Sequence, residues 1–574
     1  MVLSKLKIFS LLFLLAACAS GGKKERQALR EFVKTKNFRE AHKVIESSDF
    51  YQNKDSELLF LVEKGLLHHL QGHFFQSIQF FAKAKSLSQL LYTKSFSGKA
   101  KSLVFNDNYD KYYGEVYERS MIHFYLSLNH FLLAQVGEIE SRAEGKKILA
   151  AKKLSNNERV NQLSKARSEV LAWDSFLESI RSERRGRSVF KYDLMAKIYG
   201  GFVHEATGTA SDGQIALQLY KDAMNILFRN YNSYKTFNQN SVKFKKDFAL
   251  LPSLKAQDVE KKYVTKTLFY KQLKNLLDYK ILSLTQKIRP RDFKKMIKLY
   301  KPTKGILKRV KNEKWANISL LFQDGMISEK IAEKQYFGLK KAMQSKSGGT
   351  RFLGQVGHLA LTAFAANKLG LLPAPGNYHP VGSFVGIQTT ALAAQELAIE
   401  FELPKIKNKM NDTFYVLNIS NESGKEIKKI NLALVDPLGD IGEEAVAETS
   451  AWRYGRLGTR LALKHLTAIA ASYGTYKATE KSMGAFFAKS AALVQYIGAS
   501  KAIAASERAD TRYWSTLPQN LRMSQFYLPK GSYSLKVEGF VLRAEKMVPT
   551  KSFNLGQLII EDVRTRKLVN YRSL

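Results

Sequence analysis

From Arg26 to about Lys301 the apolar residues of this chain recur at intervals of three and four, charges fill the gaps, and proline is nearly absent. That periodicity stacks apolar side chains on one face of a 3.6-residue helix, so this half of the chain is confined to an assembly of amphipathic helices. After Trp315 the period drops to two and turn residues punctuate it, which specifies strands. A chain of 574 residues divided in this way is α+β and long enough for several domains.

The clearest helical unit is Ser56–Lys85, where Leu59, Gly65, Gly72, Phe74, Ser77, Phe81 and Ala84 fall at the spacing of a tetratricopeptide repeat. Small residues let the two helices of such a repeat approach, aromatics fill the gaps, and Gly72 breaks the chain for the turn. Gln27–Glu46 reads as a degenerate unit. Leu194–Leu227 reads as another, with Ala196, Gly200, Ala216, Tyr220 and Ala223 on paired helices and a lengthened turn around Gly208–Gly213. Together they predict a tetratricopeptide-like helical repeat domain over 26–300, with a generic helical bundle as the plainer alternative. Residues 301–314 follow as a basic connector. The whole stretch Lys287–Lys314 is basic and interrupted by Pro290 and Pro302. It reads as a helix end and solvated linker, or functionally as a membrane- or glycan-facing patch.

Residues 315–574 read as a mixed β domain. Trp315–Phe322 alternates like a strand and ends at the turn pair Asp324-Gly325. Ala398–Leu403, Thr413–Ser420, Ile427–Leu434, Arg522–Leu528, Ser532–Leu542 and Gln557–Asp562 are further strands, with turns at Asn421–Gly424 and Pro529–Gly531. Gly/Ala-rich helical insertions over 345–396 and 442–507 separate them. A β-sandwich-like domain explains this order, provided that the inserted helices leave and return near one edge. The apolar run Phe352–Leu372 contains Gln355, His358, Asn367 and Lys368, which suits a core helix better than a membrane-dipping hairpin.

At the amino terminus Lys5 and Lys7 precede the apolar run Ile8–Leu15, then Ala16, Ala17 and the single cysteine, Cys18. A charged region, a short apolar region and a small-residue cleavage site make residues 1–17 a secretory signal. The run falls short of the ~20 residues that a membrane span needs. Leu15-Ala16-Ala17-Cys18 resembles the lipobox of bacterial lipoproteins. The resemblance implies cleavage before Cys18, acylation of its thiol, a polar tether over 18–25 and a durable membrane anchor. Ala19, rather than Asp, in the next position implies the outer membrane, with the body of the protein facing the periplasm. With Cys18 acylated, the chain has no thiol left for a disulfide, a thiolate metal site or a nucleophile. The formal charge of +40 favours anionic partners. For an exported lipoprotein these are anionic lipid, lipopolysaccharide or peptidoglycan, not nucleic acid. Lysines spread over solvated helix faces account for the same charge with no partner at all.

Four segments extend the resemblance. They are Tyr112–Phe131 (YYGEVYERSMIHFYLSLNHF), Ala316–Glu333 (ANISLLFQDGMISEKIAE), Glu507–Pro518 (ERADTRYWSTLP) and Leu528–Val537 (LPKGSYSLKV). With the lipobox, they resemble a largely uncharacterised family of bacterial tetratricopeptide-containing outer-membrane lipoproteins. The resemblance implies an envelope lipoprotein with a helical repeat region and a C-terminal mixed domain. It brings no catalytic residue, and this chain departs from the family in its lysine content.

Chemistry-bearing motifs are sparse in this chain. The sequence has no Gly-x-x-x-x-Gly-Lys-Ser/Thr phosphate loop, no Gly-x-Ser-x-Gly elbow and no His-Glu-x-x-His zinc motif. Of the ten histidines, His68, His69 and His73 cluster, but Gly72 falls between the pair at helical spacing. His123 and His130 lie seven apart on one face, a packing arrangement. Glu507, Arg508, Asp510, Arg512 and Trp514 form the densest constellation. They either bind an anionic sugar or peptide beside the indole, or join domains through a buried ion pair, a capping Asp510 and a buried Trp514. The structural role is favoured. Asp436-Pro-Leu-Gly-Asp440 reads as a plain turn with too few oxygens for calcium. No catalytic residue, metal or cofactor is expected. The expectation is a non-enzymatic scaffold or assembly factor that binds envelope proteins. Activation of a peptidoglycan synthase is the alternative. An enzyme on glycans or lipids, which would need two carboxylates ~5–10 Å apart in a cleft, is third.

Overall fold

The computed structural model of the chain describes residues 22–97, 111–144, 147–183, 190, 192–229, 232–237, 256–312, 316–337, 399–409, 411–543, 546–562 and 566–574. Cys18, and the 345–396 insertion with the apolar run inside it, lie outside these residues.

The described chain is α+β. Helices α1 (Lys23–Lys34) and α2 (Phe38–Ser47) are separated by a turn in which Lys36 takes a φ of 56°. Asn37 caps α2 by accepting the Glu40 N–H at 3.4 Å. Helices α3 (Glu57–Leu70) and α4 (Phe74–Ser97) meet across Gly72, at φ 80°. Gly65 lets the Phe81 ring stand 3.0 Å from where a Cβ would be, and Ser77 Oγ donates to the Gly65 carbonyl at 2.7 Å. The small and aromatic positions noted in the sequence therefore form the seam of this pair.

Helices α5 (Val116–Val136) and α6 (Asn156–Glu183) come next. Between them β1 (Glu138–Ile139) pairs with β4 (Lys152–Lys153), and β2 (Arg142–Glu144) with β3 (Lys147–Leu149), strands that the helical periodicity hid. Helix α5 is buried on every side from Tyr117 to Ala134, the mark of a helix inside an assembly. Helices α7 (Leu194–Thr207) and α8 (Ala210–Arg229) follow, then α9 (Ala256–Ile288), α10 (Phe293–Tyr300) and α11 (Lys304–Asn312). The turn between α7 and α8 is shorter than expected. Gly208, at φ 84°, ends α7, and Gly213 already lies inside α8. From α3 to α9 each helix packs on the next.

The basic connector is not a free linker. It contains α11, whose Arg309 donates to the Gln525 carbonyl and lies 4.1 Å from the centre of the Tyr279 ring. The sheet and the helices meet there.

Seven strands form one mixed sheet: β5 (Ala316–Asp324), β8 (Thr413–Asn421), β9 (Glu426–Asp436), β10 (Asn520–Leu528), β11 (Gly531–Arg543), β12 (Lys546–Ile560) and β13 (Arg566–Ser573). Their order is β12-β11-β8-β9-β10-β5-β13, antiparallel throughout except for β13, which runs parallel to β5. Strands β6 (Lys330–Phe337) and β7 (Ile399–Ile406) make a separate ribbon. Six of the seven strands assigned from sequence to a two-layer sandwich thus share one sheet, and Ala398–Leu403 falls in the ribbon as β7. Strand twist curls it so far that Phe553 of β12 comes within 5.6 Å of Phe322 on β5 and 6.3 Å of Tyr571 on β13, at the opposite edge. Alternation then gives the sheet two cores. Ile318, Leu320, Phe322, Leu417, Leu535 and Val537 fill the inside of the curl. Leu321, Phe414, Met523 and Leu568 point the other way, into a core that runs unbroken to Leu29 on α1. The helices cover the outer face, so no second sheet is needed.

The insertion expected over 442–507 is helix α12 (Leu438–Ser506), broken at Gly484 (φ 79°, ψ 158°). Its two limbs fold back on each other. His465 Nδ1 lies 3.2 Å from Tyr496 Oη, and Lys464 Nζ donates to Ser506 Oγ at 3.0 Å. The hairpin leaves β9 and returns to β10, which are neighbours in the middle of the sheet and not at its edge.

Because both faces are core, Leu320→Ala and Leu321→Ala each lower stability by about 2–5 kcal/mol in urea denaturation. A sheet with one wet face would show the loss at only one of the two.

Candidate functional site at the helix–sheet joint

The residues from Glu507 to Pro518 carry the chain from α12 to β10, and the structure threads them between the helices and the sheet. Asp510 and Arg512 form a two-pronged ion pair, Nε to Oδ1 and Nη2 to Oδ2, each 2.9 Å. Arg512 Nη1 also donates to the Asp55 carbonyl at 3.0 Å, and the guanidinium lies over the Tyr112 ring. Trp514 is 1% exposed, its ring packed 5.6 Å from Phe81 and 5.7 Å from Tyr125. Glu507 is buried and pairs with Lys464 at 2.7 Å. Arg508 alone of the five is exposed. The structure therefore brings Asp510, Arg512 and Trp514 together as a joint, places Glu507 at the root of the hairpin, and leaves Arg508 on the surface.

The groups that receive this segment were not singled out from the sequence. Glu63 on α3 accepts the Ser515 N–H at 2.8 Å, the Ser515 hydroxyl at 2.7 Å and the Thr516 hydroxyl. Glu118 on α5 accepts the Trp514 N–H at 2.8 Å, the Glu115 N–H at 2.7 Å and the Tyr112 hydroxyl. Glu115 and Glu118 cap α5 reciprocally. Lys330 on β6 donates to Glu115 at 2.8 Å and to the Arg512 carbonyl at 3.3 Å. Arg30 on α1 donates to the carbonyls of Ser515 at 2.7 Å and Ile327 at 2.8 Å. One signal was available. Glu63 interrupts ELLFLVEKGLLHHL, a helix apolar on nearly every side, where a carboxylate needs a specific partner.

Burial pushes the Glu63 carboxyl up and lifts Glu118 to about 7, against the pull of Lys330. Burial also opposes ionisation of Asp510, but the Arg512 charge overrides it and holds that carboxyl well below the usual range.

A second acidic pair sits where α7 meets the sheet. Asp193 caps α7 at the Ala196 N–H (3.0 Å) and accepts Ser120 Oγ at 2.7 Å. Tyr234 accepts the Leu194 N–H at 2.7 Å and donates to Asp436 at 3.3 Å. Burial raises Asp193 to about 6, with the Asp174 charge adding to it, and raises Asp436 well above its ordinary range, with the Asp193 charge adding to it. The turn expected over Asp436–Asp440 is therefore a strand-to-helix corner whose acids face inward. Asp440 accepts from Thr236 and Asn408.

His68 gathers His42 and His73, with ring centres 5.0 and 5.9 Å away, while the other described histidines lie apart with partners of their own. His69 donates from Nδ1 to Asn129 at 2.6 Å and accepts from Asn570 at 3.1 Å, while His68 stacks on Phe80. His123 lies 3.5 Å from Glu169, and His130 is 2.6 Å from Gln162. Among the described residues no three His, Cys, Asp or Glu side chains are placed to hold a metal. Open clefts are present among the described residues. One, of about 720 Å³, lies along α6–α8 beside Asp174, Lys197 and Asp222. Another, of about 510 Å³, lies at the mouth of the curled sheet beside Lys407, Asn411 and Tyr415.

No protein-family model, no curated protein and no solved structure matches the chain.

Arg512→Ala leaves Asp510 buried without its cation and costs about 3–5 kcal/mol of unfolding free energy, while Arg508→Ala stays within about 0.5 kcal/mol. Similar losses from both would refute the joint. The Glu118 carboxyl also sets a pH dependence. The folded chain keeps a proton up to about 7 that the unfolded chain releases near 4.5, so this group's contribution falls as pH rises through that interval. The stability of the parent relative to Glu118→Gln should decline across the same window. A difference independent of pH would show that Glu118 titrates normally.

Proposed function

We propose that the protein is a non-catalytic interaction scaffold of the bacterial envelope, held to the outer membrane by acyl chains on Cys18 and facing the periplasm. One observation carries the scaffold part of this reading. The segment with the densest functional chemistry, Glu507–Pro518, is committed to locking helices against sheet, with Glu63 and Glu118 accepting its backbone N–H groups. A chain that invests buried ion pairs in a rigid joint holds its outer surfaces in fixed relation, as a platform for partners requires.

The seam formed by Gly65, Ser77 and Phe81 supports reading the helices as a tetratricopeptide-like array. The four family-like segments and the lipobox support the envelope assignment. Partners of this reading are envelope proteins, with anionic lipid, lipopolysaccharide or peptidoglycan as secondary ligands. The synthase-activator alternative needs an arm of helices reaching toward the wall. The contacts of Arg30 on α1 with Ile327 and Ser515 lay the array along the sheet and weigh against that reach.

Two measurements test the proposal. Full-length protein should fractionate with outer membranes and incorporate labelled palmitate, and Cys18→Ala should lose both. Crosslinking followed by affinity isolation of the lipidated protein should recover specific envelope proteins. An unmodified Cys18 in the mature chain refutes the anchor, and recovery of nothing above background refutes the scaffold.

A further inference from the structure

The hairpin α12 carries exposed apolar side chains on its outer side. Among the described side chains, Leu461, His465, Ala468 and Ser472 of one limb and Ala488, Ala492 and Tyr496 of the other are buried. Three large apolar side chains of the hairpin stand outside. Met483 is 61% exposed, Phe487 64% and Val494 70%. Met483 stands at the break beside Gly484. Phe487, Val494 and Lys501 follow at intervals of seven, on one face of the second limb. Positions 474, 484 and 498 are glycines with nothing within 4 Å of where a Cβ would stand, so the limbs are open on their outer sides.

The charge of the same segment selects the occupant. Over the whole helix three arginines and five lysines stand against five acids, but Asp440, Glu443, Glu444 and Glu448 lie at its root, and from Ala451 to Ser506 the sequence has one acid, Glu480. Two such hairpins would repel each other, which argues against a second copy of this chain. No helix among the described residues is long and apolar enough to cross a membrane. Exposed bulky apolar side chains bordered by lysines, on a helix of modest overall hydropathy, are what an interfacial segment presents to head groups and acyl chains.

We propose that the α12 hairpin docks on an anionic lipid surface. Met483, Phe487 and Val494 enter the head-group layer, and Lys481 and Lys501 meet the lipid phosphates. This contact is separate from the anchor at Cys18. It would fix the orientation of the folded body against a bilayer that the acyl chains alone leave free to swivel.

The test uses the chain from Ala19 onward, produced without acylation, in flotation with vesicles of phosphatidylglycerol and phosphatidylcholine or of phosphatidylcholine alone. The parent should float with the anionic vesicles and stay behind with the neutral ones. Met483→Ser with Val494→Ser, and separately Lys481→Glu with Lys501→Glu, should each weaken binding roughly tenfold or more. Ile559→Ser, which removes an exposed apolar residue from β12, should bind like the parent. Circular dichroism and unfolding midpoints confirm that each variant is folded. Equal binding to neutral vesicles, or unchanged binding by both double variants, overturns the proposal. So does a concentration-dependent dimer that the same substitutions dissolve without any vesicle binding, which would assign the face to a second copy. Since acylation plays no part in this assay, failure of the anchor and failure of the hairpin read out separately.

Discussion

Two buried carboxylates, Glu63 and Glu118, organise this molecule. Each sits on a helix of the array and accepts a backbone N–H from consecutive residues, Ser515 and Trp514, that lie more than 390 positions downstream. A carboxylate taken out of water is costly unless its lone pairs are filled, so neither acid is tolerable without the returning segment. The segment in turn has no neighbouring strand to satisfy the N–H groups of Trp514 and Ser515. Each side supplies what the other lacks, and helix–sheet docking becomes a condition of folding instead of an afterthought.

That dependence explains the shape of the sheet. Docked helices cover its outer face from β5 to β13, and the strands answer with apolar residues at alternate positions on both sides: Leu320 inward and Leu321 outward, Leu417 inward and Phe414 outward. A sheet buried on its convex side can twist until its concave side closes on itself, and the Phe322–Phe553–Tyr571 cluster marks that closure. The parallel pairing of β13 with β5 follows from the same geometry, because the C-terminal strand occupies the edge beside the helix array, where Gln135 of α5 bonds both the N–H and the carbonyl of Leu568.

Much of this was legible in the residues. Periodicity of three and four located the helices up to Tyr300, alternation located β5, β8, β9, β10 and β11, and Gly72 and Gly325 marked real turns. The Asp510–Arg512–Trp514 grouping was legible as a joint because paired charges beside an indole at a domain boundary have few other stable arrangements. What escaped was long-range. β6 and β13 carry too many charges to alternate cleanly, and nothing local says that β13 pairs with a strand some 250 positions earlier. The single curled sheet escaped because alternation cannot distinguish one sheet with two cores from two sheets with one. Glu63 and Glu118 escaped because a glutamate on a helix usually faces water. Only its setting in a uniformly apolar stretch distinguishes Glu63.

The buried acids also bear on the charge of the whole molecule. The formal value of +40 counts every carboxyl as ionised and every histidine as neutral. Folding lifts Glu118 to about 7 and Asp436 well above its ordinary range, so part of that negative charge is protonated near neutrality. It also keeps His68 near 3 and His69 near 4, so those rings stay uncharged. The folded chain is then at least as positive as its composition implies. Self-repulsion on that scale opposes compactness, and a nearby polyanion relieves it. An anionic surface bound by the protein would therefore also stabilise the fold.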